Sequence, residues 1–81
     1  MLSRDNDIID VYLTVAKNIK KYRRRNKMTQ KDLAIVSGYS YAYIRRLESS
    51  KCNKNFSIKT LYNLSKVLNV DIKELFKRDN I

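Results

Sequence analysis

Four residues in one short stretch, Tyr41, Ala42, Arg45 and Arg46, are of the types that read base pairs. An arginine guanidinium can donate two parallel hydrogen bonds to O6 and N7 of guanine, and an alanine methyl can touch the methyl of thymine. A tyrosine hydroxyl can bond a phosphate, or its ring can pack on a sugar. Spacing matters as much as type. With Ile44 and Leu47 facing inward at i and i+3, Tyr41, Ala42, Arg45 and Arg46 face outward, with Ser49 below them. Tyr39 and Tyr43 suit the edge of a core as well as a groove, because amphipathic rings commonly sit at core edges. For Arg45 and Arg46 the plain alternative is a solvated surface.

No other residues assemble into a reactive centre. The chain has no histidine and one cysteine, Cys52. That makes a zinc site untenable and an internal disulfide impossible, which suits a reducing, cytoplasmic setting. No nucleophile stands at a sensible spacing from a base, so an enzyme is not expected, and neither is a cofactor or small-molecule ligand. Cys52 reads as an incidental thiol, because no second cysteine could resolve an oxidised one. The start, MLSRDNDIID, lacks a basic segment followed by an apolar run, so no signal peptide is expected. No apolar stretch is long enough to span a bilayer.

The balance of charge points to a polyanion. Eighteen basic residues against eight acidic ones give +10 in 81 residues, a length suited to one small domain. From Lys17 to Lys31 the chain carries Lys17, Lys20, Lys21, Arg23, Arg24, Arg25, Lys27 and Lys31 and no acid, whereas Asp5, Asp7 and Asp10 lie at the N-terminus. Such a run is either a solvated face or a nucleic-acid footprint.

Five elements are expected to position these groups, all of them helices, since the chain has no proline and a single glycine. The first begins near Asp5 to Asp7, where acids suit a helix N-terminus, and ends around Asn26 and Lys27. Its apolar stripe is Ile8, Tyr12, Val15, Ile19 and Tyr22, widened by Ile9 and Ala16. Thr29 caps the second helix, with Asp32 three residues on; Leu33, Ile35 and Val36 supply its apolar surface. Ser40 caps the third, which runs to about Glu48 or Ser49, and residues 50–56 form a polar loop. Ser57 caps the fourth, with Ile58, Leu61, Leu64 and Leu68 on one face. Asp71 and Glu74 resemble a capping box opening a last short helix with apolar Ile72, Leu75 and Phe76.

Gly38 ties the second and third helices together. A residue with positive φ is cheapest as glycine. Counted from Gln30, Leu33 is fourth, Ala34 fifth, Gly38 ninth, Ile44 fifteenth and Leu47 eighteenth. Each suits two helices crossing sharply: a small residue where the helices approach, a glycine at the elbow, and branched apolar residues burying the junction.

These residues resemble the phage repressor/Cro-type helix-turn-helix regulators, also called the xenobiotic-response-element family. The likeness runs from Val15 to Phe76. I-K-K-Y-R (19–23) is similar to the family's first helix, T-Q-K-D-L-A (29–34) to the start of its second, Y-S-Y-A-Y-I-R-R-L-E (39–48) to its recognition helix, and residues 57–76 to its last two helices. The resemblance implies an all-α fold, a compact five-helix bundle of the lambda-repressor type. It makes 1–81 one domain, with a family-like core at about 15–76. The segment 5–14 is an extension that either lengthens the first helix or covers the core. It implies a DNA-contacting set of Gln30, Ser40, Tyr41, Ala42, Tyr43, Arg45, Arg46 and Lys51. Within that set Gln30, Tyr43 and Lys51 touch the backbone, Tyr41, Ala42 and Arg46 read bases, and Arg45 lies at the groove edge. It also implies an ion pair between Arg23 and Glu48 tying the first helix to the third. The segment after Glu48 departs from the family, lacking its usual Gly and Pro and running about two residues longer.

The function expected is that of a sequence-specific regulator of transcription on double-stranded DNA, of repressor or restriction–modification controller type, in the prokaryotic or phage cytoplasm at the nucleoid. A two-fold homodimer would read two half-sites one helical turn apart. The chain leaves no room for a separate oligomerisation domain, so its surface falls to helices four and five, with Tyr62, Val67, Ile72, Phe76 and Ile81 as candidates; their plain alternative is ordinary core. Two other readings are a basic nucleic-acid-binding protein without sequence preference and an antitoxin-like protein-interaction module.

Overall fold

A computed structural model of the chain describes residues 4–49 and 56–78, with side chains from Ile8 onward. Lys51, Cys52 and Ile81, named above, lie outside the described residues. The described chain forms α1 (Arg4–Arg25), α2 (Gln30–Ser37), α3 (Tyr41–Glu48), α4 (Ile58–Val67) and a terminal 3₁₀ segment (Ile72–Phe76), with no strand among the described residues. The N-terminal extension lengthens the first helix: α1 runs unbroken for 22 residues, about 33 Å at 1.5 Å per residue.

Hydroxyl residues start three of the helices. Thr29 Oγ1 accepts the N–H of Asp32 at 3.0 Å while Asp32 Oδ2 accepts the N–H of Thr29 at 2.8 Å, a reciprocal capping box. Ser40 Oγ accepts from the N–H of Tyr43 at 3.0 Å, and Ser57 Oγ from that of Thr60 at 3.1 Å. Left-handed residues end three of them. Gly38 ends α2 at φ 80°, as its type foretold. Lys27 (φ 60°) and Asn69 (φ 61°) do the same after α1 and α4 with no glycine. In both, the next N–H reaches back five residues, Met28 to Arg23 O at 3.1 Å and Val70 to Ser65 O at 2.9 Å.

Two expectations about the last element require correction. The five-helix bundle becomes four α-helices and a 3₁₀ segment. Five residues closed by Asp71 C=O accepting from Glu74 N–H are too few to build an α-helical ladder. Asp71 and Glu74 make no capping box, since Asp71 forms no side-chain cap bond. The Glu74 carboxylate is held elsewhere, by Lys77 Nζ at 2.9 Å and the Tyr22 hydroxyl at 3.3 Å.

The core is one cluster drawn from every element: Val15, Ile19 and Tyr22 of α1, Leu33 and Ala34 of α2, Ile44 and Leu47 of α3, Leu61 and Leu64 of α4, with Leu68 and Leu75. The apolar stripes extend beyond what the core can cover. Ile35 is 78% exposed, Val36 is exposed beside it on α2, and Ile8 and Ile58 are exposed at the starts of α1 and α4. Asn18 is buried on the stripe of α1, where its Nδ2 donates to Leu75 O (2.8 Å) and Lys77 O (2.7 Å) and so ties the terminal segment to α1. Arg78 and Asp10 form a further ion pair between the same two elements.

Candidate nucleic-acid interface

α3 is locked on one side and open on the other. Ile44 and Leu47 are buried, while Tyr41, Ala42, Arg45 and Arg46 are exposed. The face expected to read bases is therefore brought together at the surface. Ala34 is buried at the crossing with α3, and Gly38 turns the chain between the two helices. A Cβ on Gly38 would meet nothing within 4 Å, so glycine is required there by its φ alone.

Tyr39 and Tyr43 are half-buried and pack on the core, their ring centroids 5.2 Å apart. The Tyr39 hydroxyl accepts a hydrogen bond from Asn63 Nδ2 at 3.1 Å, which gives that ring an anchoring role on α4. Tyr43 stands at the core edge with the Arg46 guanidinium 5.8 Å from its ring centroid. Tyr41 is flanked by two cations, Lys31 Nζ from α2 at 5.5 Å and the Arg45 guanidinium at 5.6 Å. Sequence reasoning missed this grouping, because Lys31 and Tyr41 are brought together only by the turn at Gly38.

Behind α3 lies the ion pair implied by the resemblance. Arg23 Nε donates to Glu48 Oε2 at 2.6 Å and an Nη to Oε1 at 2.9 Å, a bidentate fork, and the other Nη donates to Met28 O at 2.7 Å. The side chains are 8% and 2% exposed. Gln30 joins the same carboxylate, its Nε2 donating to Glu48 Oε1 at 3.1 Å. That leaves Gln30 a second N–H and its carbonyl oxygen for another partner. Ser40 spends an acceptor lone pair on its cap and keeps its O–H to donate. One member of the basic run, Arg23, is thus structural, while Arg24, Arg25, Lys27 and Lys31 are exposed.

Among the described residues, three groups are shifted from their ordinary values. The Thr29 backbone and hydroxyl hydrogen bonds hold Asp32 below its usual carboxylate value. The Lys77 hydrogen bond holds Glu74 down, and the same contact holds Lys77 up. These are features of helix ends and of the terminal segment. Among the described residues no group of His, Cys, Asp or Glu could hold a metal ion, and no helix is long and apolar enough to cross a membrane.

The helix-turn-helix family model HTH_3 matches residues 19–75, from the last two turns of α1 through α2, α3 and α4 into the terminal segment. The chain belongs to the phage repressor/Cro-type helix-turn-helix family. Among its relatives, the control protein C.SmaI of Serratia marcescens is 33% identical over 79 residues, covering 95% of this chain and 92% of that protein. An uncharacterised HTH-type transcriptional regulator, y4dJ of Sinorhizobium fredii, is 33% identical over 67 residues, covering 83% of this chain and 84% of that one. Among solved structures, the master regulator for biofilm formation SinR, crystallised in complex with DNA, superimposes with a TM-score of 0.71 at 28% identity, over 78% of this chain and 98% of that one. The restriction-modification controller protein C.AhdI of Aeromonas hydrophila has the same fold, with a TM-score of 0.72 at 23% identity, over 80% of this chain and 96% of that one.

Proposed function

We propose that this family member is a sequence-specific regulator of transcription on double-stranded DNA, of repressor or controller type, with α3 in the major groove. The observation that carries this is the outward face of Tyr41, Ala42, Arg45 and Arg46 on a helix whose inner face is buried. The names of C.SmaI and of the DNA-bound SinR support it. Attraction through the basic surface brings the protein to DNA, phosphate contacts fix its register, and side chains read the bases. Arg46, Ala42 and Tyr41 read base edges, and Arg45 works at the groove edge. Gln30, Ser40, Tyr43 and Lys51 hold the backbone. The Tyr41 ring keeps Lys31 and Arg45 at hand, so that both cations are pre-positioned before DNA arrives.

Chain 1–81 acts as one DNA-binding domain, working at the nucleoid in a prokaryotic or phage-derived system. It binds as a two-fold homodimer through α4 and the terminal segment. Of the residues named for that surface, Tyr62 and Phe76 are exposed, whereas Val67 and Ile72 pack partly on the core and have less to give a partner. The test is selection of sites from a randomised duplex pool at near-physiological salt. A palindrome with half-sites about 34 Å apart is the expected outcome. Retention of DNA with no enriched motif would instead make this a basic protein without sequence preference.

A further inference from the structure

A row of contacts runs from α4 to the reading face. Asn63 Nδ2 of α4 donates to the Tyr39 hydroxyl at 3.1 Å. The Tyr39 and Tyr43 rings follow, their centroids 5.2 Å apart and their planes inclined at 40°. The Arg46 guanidinium then lies 5.8 Å from the Tyr43 centroid. Each spacing lies within the range of its kind of contact: a hydrogen bond, a ring pair, a cation over a ring. Exposure rises along the row. Asn63, Tyr39 and Tyr43 are half-buried, both rings pack on the core, and Arg46 is exposed.

The row bears on how Arg46 meets DNA. A long side chain on an open face gives up rotamer freedom when it binds. A guanidinium already resting on a fixed ring has less to give up, and its N–H groups stay available to a guanine. Arg45 has a similar support, 5.6 Å from the Tyr41 ring. Tyr41 and Tyr43 flank Ala42 in the chain, and at about 100° per residue they stand on opposite sides of it. The two arginines are thus drawn apart, with the exposed Ala42 between them. The two supports differ in footing. Tyr41 is exposed, whereas Tyr43 is braced through Tyr39 to α4.

We propose that Asn63, Tyr39 and Tyr43 are positioning residues for Arg46, so that discrimination at the base Arg46 reads is set in part from α4. The proposal rests on the regulator reading above, which gives Arg46 a base to read. In that reading the Tyr43 hydroxyl holds the DNA backbone; its ring has this separate task. The two can be removed one at a time, since Tyr43→Phe deletes the hydroxyl and keeps the ring, while Tyr43→Leu deletes both.

The test compares binding of the full chain to a selected site and to variants of that site, at the base pair that Arg46→Ala identifies. The quantity read is the ratio of the two affinities at one salt concentration. Tyr43→Phe is expected to weaken all sites evenly and leave the ratio unchanged. Tyr43→Leu should lower the ratio about 2- to 5-fold at that base pair alone, the size of an exposed cation–ring contact. In an Arg46→Ala background it should lower it no further. Asn63→Ala and Tyr39→Leu should give smaller losses at the same base pair, and no loss in either would overturn the role of α4. A ratio that falls as far in Tyr43→Phe as in Tyr43→Leu would make the hydroxyl the working group and overturn the proposal. Equal weakening at every base pair by Tyr43→Leu would reduce the row to packing and overturn it too. A second measurement needs neither DNA nor a stable leucine variant. In the nuclear magnetic resonance spectrum of the free protein, the side-chain protons of Arg46 should lie upfield of those of the exposed Arg24, in the wild type and in Tyr43→Phe. Coincident positions would overturn the proposal. Failure of the regulator reading is seen separately: a pool with no enriched motif overturns both, whereas a motif that Tyr43→Leu reads as sharply as the wild type overturns this proposal alone.

Discussion

Replacing Glu48 with alanine is expected to be among the most destabilising single changes in this chain. The carboxylate neutralises Arg23 through two short hydrogen bonds and also takes the Gln30 amide. Without it, a guanidinium whose side chain is 8% exposed keeps one partner, the carbonyl of Met28. Stranding a buried charge costs about 3–5 kcal/mol. An 81-residue domain is expected to hold only about 4–12 kcal/mol in all. At about 5 °C per kcal/mol for a domain of this size, Tm should fall by about 15–25 °C. Arg23→Met should cost a similar amount from the other side. The double variant Arg23→Met with Glu48→Leu is the informative one. It removes both charges and fills the space with apolar atoms, so it should recover to within about 2 kcal/mol of the wild type. Urea unfolding of these proteins gives the comparison, with the single variant Glu48→Leu added to close the cycle. A Glu48→Ala cost below about 1 kcal/mol would refute the argument, and so would a double variant no more stable than either single one. Packing rather than the stranded charge would then be what the pair supplies.

Gly38→Ala should cost about 1–2 kcal/mol, all of it from the backbone, because the new methyl meets nothing. Lys27→Gly should stabilise by about 0.5–1 kcal/mol for the converse reason; chemical denaturation reads both. Arg46→Ala should lose about 1–3 kcal/mol of discrimination at one base position per half-site, measured by titrating operator variants, while an equal loss on every sequence would make it a backbone contact. Lys51→Ala should weaken binding evenly and lower the salt slope by about 1. The carboxyls of Asp32 and Glu74 lie below their ordinary values of 3.8 and 4.5 when folded, so the unfolded chain binds more protons in acid. Their stabilisation is complete above about pH 5 and is lost as pH falls through the folded values. A melting-temperature series from pH 7 to pH 2.5 should be flat to about pH 5 and then drop, less steeply in Asp32→Asn. A decline already under way at pH 6 would point to another group.

Local chemistry made most of the helix starts and the outward face of α3 legible. Thr29, Ser40, Ser57 and Gly38 each act through neighbours within four residues, so their residue types alone located the ends of helices. Ile44 and Leu47 then oriented α3, since an i, i+3 pair leaves little choice of face. What stayed hidden was set by parts distant in the chain. Lys27 and Asn69 take left-handed turns because surrounding bonds demand it, against the preference of a lysine. Ile35, Val36 and Ile58 look like core by period, but no neighbour among the described residues stands over them. The last element looks helical by pattern, yet its glutamate is drawn to Tyr22 and Lys77, and it is too short to hold an α-helix. Asn18 left a trace that could have been followed, a polar residue three on from Val15 in an apolar stripe.

Along α3 the two duties of the helix alternate within eight residues. Ile44, Leu47 and Glu48 hold it to the body, and Tyr41, Ala42, Arg45 and Arg46 are turned away. The residues that hold the fold are therefore different from those proposed to read DNA. A lineage could drift from one operator to another through substitutions at these outward positions, each nearly neutral for folding, without passing through an unfolded ancestor. Duplicated copies could part company in the same way, sharing one scaffold while ceasing to compete for each other's sites.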